Sequence, residues 1–284
     1  HLYCVDVASG KIKRLTKDGG VHNIQANHDN SLFIDQFSSA EVPGEIRIID
    51  AKGKNISTIH TADNPLKEYK AVEMEIATTK GPGGQDLVYR IFKPADFDPA
   101  KKYPAVVYLY NGPHAQLITN SWLGGANLWY HYMAQNGYVV YTIDGRGSAN
   151  RGFDFESCIH RKMGELEMED QLHGLNWLKS QSFVDSARVG VHGWSYGGYM
   201  TINLMTRKAG NYKVGVAGGP VIDWELYEVM YTERYMDTPD NNSQYKSSSV
   251  LSYIKNFPDE YVMQANILLV INSLIDSLCR NVLG

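Results

Sequence analysis

The sequence has little cysteine and no block of basic charge. Its three cysteines, Cys4, Cys158 and Cys279, are too few and too scattered among 284 residues for a disulfide framework or a metal cluster. Lysine and arginine number 27 against 31 aspartates and glutamates, which gives a net charge of −4 and a pI near 6.1. Because no run of Lys or Arg offers an electrostatic surface to a polyanion, we expect neither nucleic acid nor an anionic membrane as a partner.

Long apolar runs are also missing. No stretch approaches the roughly 18 uncharged apolar residues that a membrane-spanning helix needs. A composition of 43% hydrophobic and 20% charged residues is that of an ordinary globular chain, and it excludes collagen-like and disordered proteins. The chain begins at His1, in a segment that already has strand character, so we expect an N-terminal portion to lie outside this sequence.

Residues 1–66 have the alternating pattern of antiparallel strands. The pattern occurs over residues 2–16 and again over residues 46–59, each time with a glycine turn in the middle. The matching positions Val5 and Ile49 are 44 residues apart, a period that is typical of one four-stranded propeller blade. A generic β-meander is the alternative. In either case, so small a sheet needs neighbours to be stable.

A chain of another type follows from about residue 67. Two alternating segments, residues 72–79 and 87–93, are predicted as antiparallel strands at a sheet edge. Helical patterns occupy residues 166–180 and 197–207, so strands and helices alternate, which indicates a mainly parallel sheet in an α/β fold. Short runs rich in Val, Ile and Tyr predict strands that are buried on both faces, at residues 105–110, 138–143, 189–192, 214–217 and 267–271.

The most informative motif is the pentapeptide Gly-Trp-Ser-Tyr-Gly at residues 193–197. It lies between a predicted strand and a predicted helix, which is the context that a nucleophile on a sharp strand-to-helix turn requires. The glycines leave room for a strained backbone, and the turn would push the Ser195 hydroxyl out of the sheet. At the helix start, the amide of Tyr196 would be free to point at an oxyanion. The alternative is a glycine-rich turn whose serine only caps the helix.

A serine nucleophile needs a base, and here the sequence departs from a complete enzyme. In this kind of fold the acid and then the histidine follow the serine along the chain. All nine histidines precede Ser195 and none follows it. His192 is near the motif, but the alternation of side chains along a strand directs its imidazole across the strand. We therefore favour a structural role for His192. Two interpretations stay open: either the base lies beyond Gly284, or the protein is a pseudoenzyme.

Longer runs carry a family resemblance. They are Tyr-Asn-Gly-Pro-His-Ala-Gln at 110–116, Gly-Arg-Gly-Ser-Ala-Asn-Arg-Gly at 145–152, Glu-Asp-Gln at 169–171, Gly-Trp-Ser-Tyr-Gly-Gly-Tyr at 193–199, Val-Ala-Gly-Gly-Pro-Val-Ile-Asp-Trp at 216–224 and Tyr-Thr-Glu-Arg-Tyr-Met at 231–236. Together they resemble the prolyl oligopeptidase family, more narrowly its dipeptidyl peptidase IV branch and the bacterial prolyl tripeptidyl peptidase type. The resemblance covers residues 1–255. It implies the last part of a β-propeller over residues 1–66 and a truncated α/β-hydrolase domain over residues 67–284.

The resemblance also implies roles for single residues. Ser195 would be the nucleophile, while the Tyr110 hydroxyl and the Tyr196 amide would form the oxyanion hole. A packed aromatic residue is the alternative for Tyr110. The family's pocket for the proline ring before the scissile bond is matched by Val221, Trp224, Tyr227 and Tyr231. Because this flat ring has no amide donor, it is best recognised by shape and by aromatic surface. The spacing of these residues also suits plain packing in a core, which is the alternative.

Two acidic residues complete the implied site. Glu228 matches a glutamate that helps to anchor the charged amino end of the substrate, and a solvated glutamate on a helix face is the alternative. Asp276 follows the last predicted strand and is the candidate for the acid that orients the histidine. The family has Ile-His-Gly just before this acid, whereas Ile-Asn-Ser stands here, so an ordinary loop carboxylate is the alternative for Asp276.

We therefore expect a serine exopeptidase that releases N-terminal di- or tripeptides by cleaving after proline, through an acyl-enzyme and without a metal or organic cofactor. Its partners would be peptides with proline before the scissile bond. The resemblance further implies a homodimer and a periplasmic or cell-surface location. An esterase or acyl-peptide hydrolase on the same fold and a non-catalytic pseudo-hydrolase are the alternatives. Without a histidine after Ser195, the 284-residue chain itself is expected to be inactive.

Overall fold

The structure, a computed structural model, describes residues 1–70 and 72–257 together with the backbone of one further strand, Val262–Asn266. The described strands form a two-stranded, a four-stranded and a seven-stranded sheet. The two smaller sheets are built from the first 61 residues. The seven-stranded sheet organises the rest of the chain, and it carries the helices.

The N-terminal part consists of a hairpin and a meander of four antiparallel strands, which is the unit of a propeller blade. The antiparallel strands predicted for both repeats are present, whereas the first strand of the meander was not predicted. In the hairpin, β1 (Tyr3–Val5) pairs with β2 (Ile12–Arg14). In the meander, neighbours along the chain pair in the order β3 (Val21–Ala26), β4 (Leu32–Ser38), β5 (Glu45–Asp50) and β6 (Asn55–Thr61).

The meander has a small buried centre and exposed apolar flanks. In the centre, His22 Nδ1 donates to Asp35 at 2.8 Å, and the ring of Phe37 lies 4.8 Å from the His22 ring. On the outside, Ile56 and Ile59 of β6 are 57% and 59% exposed. Apolar side chains on the outer surface of such a sheet are typical of a blade that packs against neighbouring blades.

The seven-stranded sheet is parallel except at one edge. Its order is β13-β12-β11-β9-β10-β8-β7, in which β7 and β8 are antiparallel to their neighbours and the other strands are parallel, as predicted. The last predicted strand, residues 267–271, lies outside the described residues. The strands are β7 (Met74–Lys80), β8 (Asp86–Phe92), β9 (Tyr103–Tyr108), β10 (Val139–Asp144), β11 (Val184–Trp194), β12 (Val214–Gly218) and β13 (Val262–Asn266).

Helices connect these strands. The predicted helix over residues 166–180 is confirmed with the same bounds, and the helix after the pentapeptide motif starts one residue earlier than predicted. The α-helices are α1 (Leu128–Gln135), α2 (Phe153–Ser157), α3 (Leu166–Ser180), α4 (Tyr196–Arg207), α5 (Val229–Met236) and α6 (Gln244–Ser248). Single 3-10 turns span Trp122–Gly125, Trp224–Leu226, Pro239–Asn241, Val250–Ser252 and Ile254–Asn256. Within the described part, no helix combines the length and the apolar character needed to cross a lipid bilayer.

The main core lies between the sheet and helices α3 and α4. Every position of β10 is buried, and so is α4 from Tyr196 to Thr206. α3 contributes an apolar stripe to this core, in which Leu175 and Leu178 are almost fully buried. Each large aliphatic side chain that is removed from water in this way stabilises the fold by about 1.5–3 kcal/mol. The sheet therefore forms a rigid base for the loops at its carboxyl edge.

The loop after β9 runs from this edge to the N-terminal meander. Near its far end, the amide of Trp122 donates to the Ser38 hydroxyl at 2.9 Å, and the amide of Leu123 donates to the Ala40 carbonyl at 3.3 Å. Asn120 accepts a further hydrogen bond from the Ala40 amide at 3.3 Å. One loop thus links the meander to the sheet that carries the site.

Two buried charged groups hold the middle of the same loop. Asp144, at the end of β10, accepts the amide hydrogens of Leu117 and Ile118, the latter at 2.8 Å. Arg90 of β8 donates to the Leu117 carbonyl at 3.0 Å. Burial raises the pKa of Asp144 to about 6, and burial lowers the pKa of Arg90. These contacts attach the middle of the loop to two strands of the sheet.

Candidate active site

Ser195 lies on a strained turn between a buried strand and a helix. β11 ends at Trp194 and α4 begins at Tyr196, and Ser195 between them has φ 58° and ψ −114°. A positive φ is costly for a residue with a side chain. The turn is held because the Ser195 amide donates to the Gly218 carbonyl at 2.8 Å, while the Ser195 carbonyl accepts from the Tyr199 amide at 3.0 Å. The Ser195 side chain makes no capping hydrogen bond, so the helix-cap interpretation finds no support.

The glycines of the motif permit a contact between two backbones. A Cβ atom on Gly197 would lie 2.3 Å from the Leu109 carbonyl oxygen, and one on Gly193 would lie 2.6 Å from the same oxygen. Real Cβ atoms do not come so close to a backbone oxygen, so only glycine fits at either position. The turn is therefore pressed against the residue that follows β9, and this contact brings Tyr110 next to the nucleophile.

Tyr110 and Tyr196 both lie next to Ser195. Burial raises the pKa of the Tyr110 phenol, and a hydrogen bond with the Ser195 side chain acts in the opposite direction. Tyr196 is the first residue of α4, where backbone amides have no acceptor within the helix, and its ring centre is 6.1 Å from that of Tyr110. The structure thus brings the Ser195 hydroxyl, the predicted nucleophile, close to the two residues predicted to donate to an oxyanion.

The aromatic residues predicted to surround a proline ring also form one cluster. The rings of Trp224 and Tyr231 are stacked, with centres 6.0 Å apart and planes 14° apart. The ring of Tyr227 stands edge-on to both, at 5.7 Å and 5.5 Å. Trp224 is buried and lies 5.4 Å from the Tyr196 ring, and Val221 is buried close by in sequence. We call Val221, Trp224, Tyr227 and Tyr231 the aromatic slot.

The chain through the slot is not one continuous helix. Trp224 belongs to the 3-10 turn Trp224–Leu226, whereas Tyr231 belongs to α5, which begins at Val229. Tyr227 and Glu228 lie at the break, where Tyr227 is 41% exposed and the exposed Glu228 makes no capping hydrogen bond. At this break the Glu228 side chain faces solvent. Asp276, the predicted acid, lies outside the described residues.

Helix α3 contributes polar side chains for which no role was predicted from the sequence. Glu167, Asp170 and Gln171 are all buried in its first half. Asp170 binds the Arg146 guanidinium at 2.8 Å and also accepts the Arg146 amide at 2.7 Å, and this hydrogen bonding raises the pKa of Arg146. Glu167 accepts from the Tyr196 hydroxyl at 2.6 Å. Their burial could have been predicted from the sequence, because these residues recur at helical spacing on the side of α3 that also carries the apolar stripe.

Glu167 is a carboxyl group without exposure to solvent. Its Oε1 atom accepts from the Gly164 amide at 3.0 Å and from Tyr196, whereas its Oε2 atom has no partner among the described residues. Burial raises the pKa of Glu167 to about 7, although the hydrogen bonds from Tyr196 and Gly164 oppose this. The residue that carries a candidate oxyanion donor is thus held by a group that titrates near neutral pH.

His192 has the structural role expected of it. Its Nδ1 atom donates to the Val216 carbonyl at 2.9 Å, and its ring lies 5.5 Å from that of Tyr108 and 5.6 Å from that of Trp129. These contacts hold the imidazole ring in place within the sheet. Among the described residues, no group of three or more His, Cys, Asp and Glu side chains could hold a metal ion.

A strained serine between a buried strand and a helix, at the carboxyl edge of a mainly parallel sheet, defines the α/β-hydrolase class of proteins. Within that class, the model of the prolyl oligopeptidase family matches residues 127–281, more than half of the chain. The chain belongs to the prolyl oligopeptidase family, and the resemblance seen in the sequence is confirmed.

Relatives of the chain include named dipeptidyl peptidases. Dipeptidyl peptidase 8 of Homo sapiens is 37% identical over 97% of this chain, which covers 32% of that protein. The crystal structure of a Bacteroides ovatus protein described as a putative dipeptidyl aminopeptidase IV has a TM-score of 0.91 and 41% identity, over 99% of this chain and 41% of that one. Dipeptidyl peptidase 4 of Porphyromonas gingivalis has a TM-score of 0.87 and 31% identity over the same shares. The chain spans about a third of the length of the curated relatives it matches.

The contact at Gly197 gives a first prediction. Gly197→Ala should destabilise the protein by about 2 kcal/mol or more, because a methyl group must displace the Leu109 backbone. Gly190→Ala on β11 is the matched control, since its Cβ atom would meet nothing closer than 3.4 Å and should cost less than about 1 kcal/mol. Urea unfolding measures both. Equal unfolding midpoints for the two variants would contradict the contact.

Glu167 gives a second prediction, on stability against pH. Its folded pKa of about 7 lies above the pKa of 4.5 of an unperturbed glutamate. The stability from its neutral form is therefore fully present below pH 4.5 and is lost as the pH rises through 7, a change of about 3 kcal/mol. Glu167→Gln should remove this part of the pH dependence in urea unfolding between pH 5 and pH 8. Glu165→Gln, at the half-buried position before α3, should leave it unchanged, and a wild-type slope in Glu167→Gln would refute the assignment.

Proposed function

We propose that the protein containing this chain is a serine exopeptidase that releases N-terminal di- or tripeptides by cleaving after proline. The observation that supports this proposal is the position of Ser195, which lies on a strained turn, with a hydrogen bond to Tyr110 and directly before Tyr196, whose ring packs against Trp224 of the aromatic slot. The relatives support it, since dipeptidyl peptidase 8 of Homo sapiens and dipeptidyl peptidase 4 of Porphyromonas gingivalis are named as dipeptidyl peptidases.

The proposed reaction is acyl transfer through Ser195. Its hydroxyl oxygen attacks the carbonyl carbon of the proline residue while its proton passes to a histidine base, and the proline carbonyl oxygen becomes an oxyanion. The Tyr110 hydroxyl and the Tyr196 amide donate to this oxyanion. The base then gives its proton to the leaving amine, the acyl-enzyme remains, and water releases it by the same steps. We propose that the histidine comes from a segment outside this sequence and that Asp276 orients it.

The aromatic slot accounts for the choice of proline. A pyrrolidine ring has no side-chain donor or acceptor, so it is selected by shape and by contact with aromatic faces. Trp224 and Tyr231 present nearly parallel planes, and Tyr227 closes one side edge-on. Glu228, next to Tyr227, offers a carboxylate to the amino end of a peptide whose proline fills the slot.

The reaction is tested on the whole protein with chromogenic substrates. Gly-Pro and Ala-Ala-Pro amides should be hydrolysed in preference to short acyl esters, and Ser195→Ala should lower kcat by about 10⁴-fold or more. Selective ester cleavage would favour an esterase or acyl-peptide hydrolase instead. Absence of turnover with every substrate would favour a pseudo-hydrolase. The 284-residue chain alone should show no turnover, because none of its histidines follows Ser195.

Glu228 can be tested separately from the chemistry. Glu228→Gln should raise KM about 10- to 100-fold for peptides with a free amino end, because an ion-paired hydrogen bond is lost, while kcat changes little. N-acetylated peptides carry no amino charge, and the substitution should leave their KM unchanged. Glu225→Gln is the control, since Glu225 is an equally exposed acid in the preceding turn. The same KM change with free and acetylated peptides would rule out the anchoring role.

A further inference from the structure

The loop that carries Tyr110 turns sharply directly after it. Asn111 has φ 65° and His114 has φ 63°, both in the left-handed region. Between them, a Cβ atom on Gly112 would lie 2.5 Å from the Tyr110 ring, so the loop folds back onto the phenol that it positions. A left-handed conformation is unfavourable for a residue with a side chain, and it persists only where neighbouring groups hold it.

Gln171 of α3 holds this turn. Its side chain is 1% exposed, and its Nε2 atom donates to the Asn111 side-chain oxygen at 2.9 Å. The same Nε2 atom donates to the Ile143 carbonyl of β10 at 3.1 Å. The amide therefore connects Asn111 at once to a helix and to a central strand. Both are among the rigid parts of the core.

One helical turn before Gln171, α3 also holds Tyr196, the residue whose amide is the second proposed donor of the oxyanion hole. Glu167 accepts from the Tyr196 hydroxyl at 2.6 Å. Oxyanion donors act only when they are fixed close to the position where the charge develops, and errors of about 1 Å are costly. α3 thus reaches both donor residues, Tyr196 directly and Tyr110 through Asn111.

We propose that Gln171 is a positioning residue for the oxyanion hole: its amide fixes Asn111 and thereby the direction of the Tyr110 hydroxyl. This role rests on the proposed function, because it gives Tyr110 a part in the reaction. Gln171 itself contacts no substrate. Loss of its hydrogen bond should weaken the transition state and leave substrate binding in the aromatic slot intact, so kcat should fall while KM stays the same.

Gln171→Met in the whole protein keeps the length of the side chain and removes the hydrogen bond. With a Gly-Pro amide, we expect kcat to fall about 10-fold and KM to stay within about twofold. Asn111→Gly accepts the same left-handed backbone without the amide, and it should give the same loss. In Asn111→Gly, the further change Gln171→Met should have no additional effect on kcat, because both act through one bond. Gln181→Met, just beyond the far end of α3, is the control and should leave kcat unchanged.

The decisive comparison uses Tyr110→Phe. If Gln171 acts through the Tyr110 hydroxyl, then Gln171→Met should no longer lower kcat once that hydroxyl is gone. An equal fall in the wild-type and Tyr110→Phe backgrounds would show a merely structural role and overturn the proposal.

A second measurement does not depend on turnover. A crystal structure of Gln171→Met should show the Tyr110 side chain displaced from Ser195 while the turn at Ser195 is unchanged. An unmoved Tyr110 would overturn the positioning role, whether or not the wild-type protein cleaves peptides. Failure of the wild-type protein to hydrolyse any substrate, with Tyr110 displaced in the variant, would instead count against the proposed function alone.

Discussion

The contact between the Gly197 backbone and the Leu109 carbonyl is the constraint on which the site depends. A Cβ atom at Gly197 would lie 2.3 Å from that oxygen, so the turn and the end of β9 are closer than any other residue type allows. The same closeness puts Tyr110 beside Ser195. Hydrogen bonds between Ser195 and residues of β12 and α4 hold the strained turn. The turn therefore persists in spite of its unfavourable backbone conformation.

Buried polar groups surround this contact, and their placement follows from the topology. A helix that connects parallel strands runs back along the sheet, so the first half of α3 lies at the carboxyl edge, where the loops of the site begin. Glu167, Asp170 and Gln171 occur in that half, and the mainly apolar stripe continues to Leu178. A buried polar group is costly unless it is hydrogen-bonded, and each of these three is bonded to a different segment at this edge, two of them in loops and one at the start of α4. Their burial is therefore tied to one arrangement of those loops.

Much of the architecture could be predicted because it is local. The bounds of α3, the strand before Ser195 and the helix after it depend on patterns of a few residues, and the alternation of strand and helix patterns predicted the mainly parallel sheet. The partners of α3 could not be predicted from such patterns. Gln171 bonds to a residue 60 positions away and Glu167 to one 29 positions away, and only the folded sheet brings them together. The break at Tyr227 was missed as well, because a spacing of three and four residues suits a continuous helix equally well.

The attachment of the loop after β9 at its middle has a mechanical meaning. Asp144 and Arg90 fasten Leu117 to the sheet, between the segment that begins at Tyr110 and the segment that touches the meander at Trp122. A displacement that enters the loop at Trp122 meets the hydrogen bonds at Leu117 before it reaches Tyr110. The fastened middle therefore separates the part of the loop that contacts the meander from the part that lies beside Ser195.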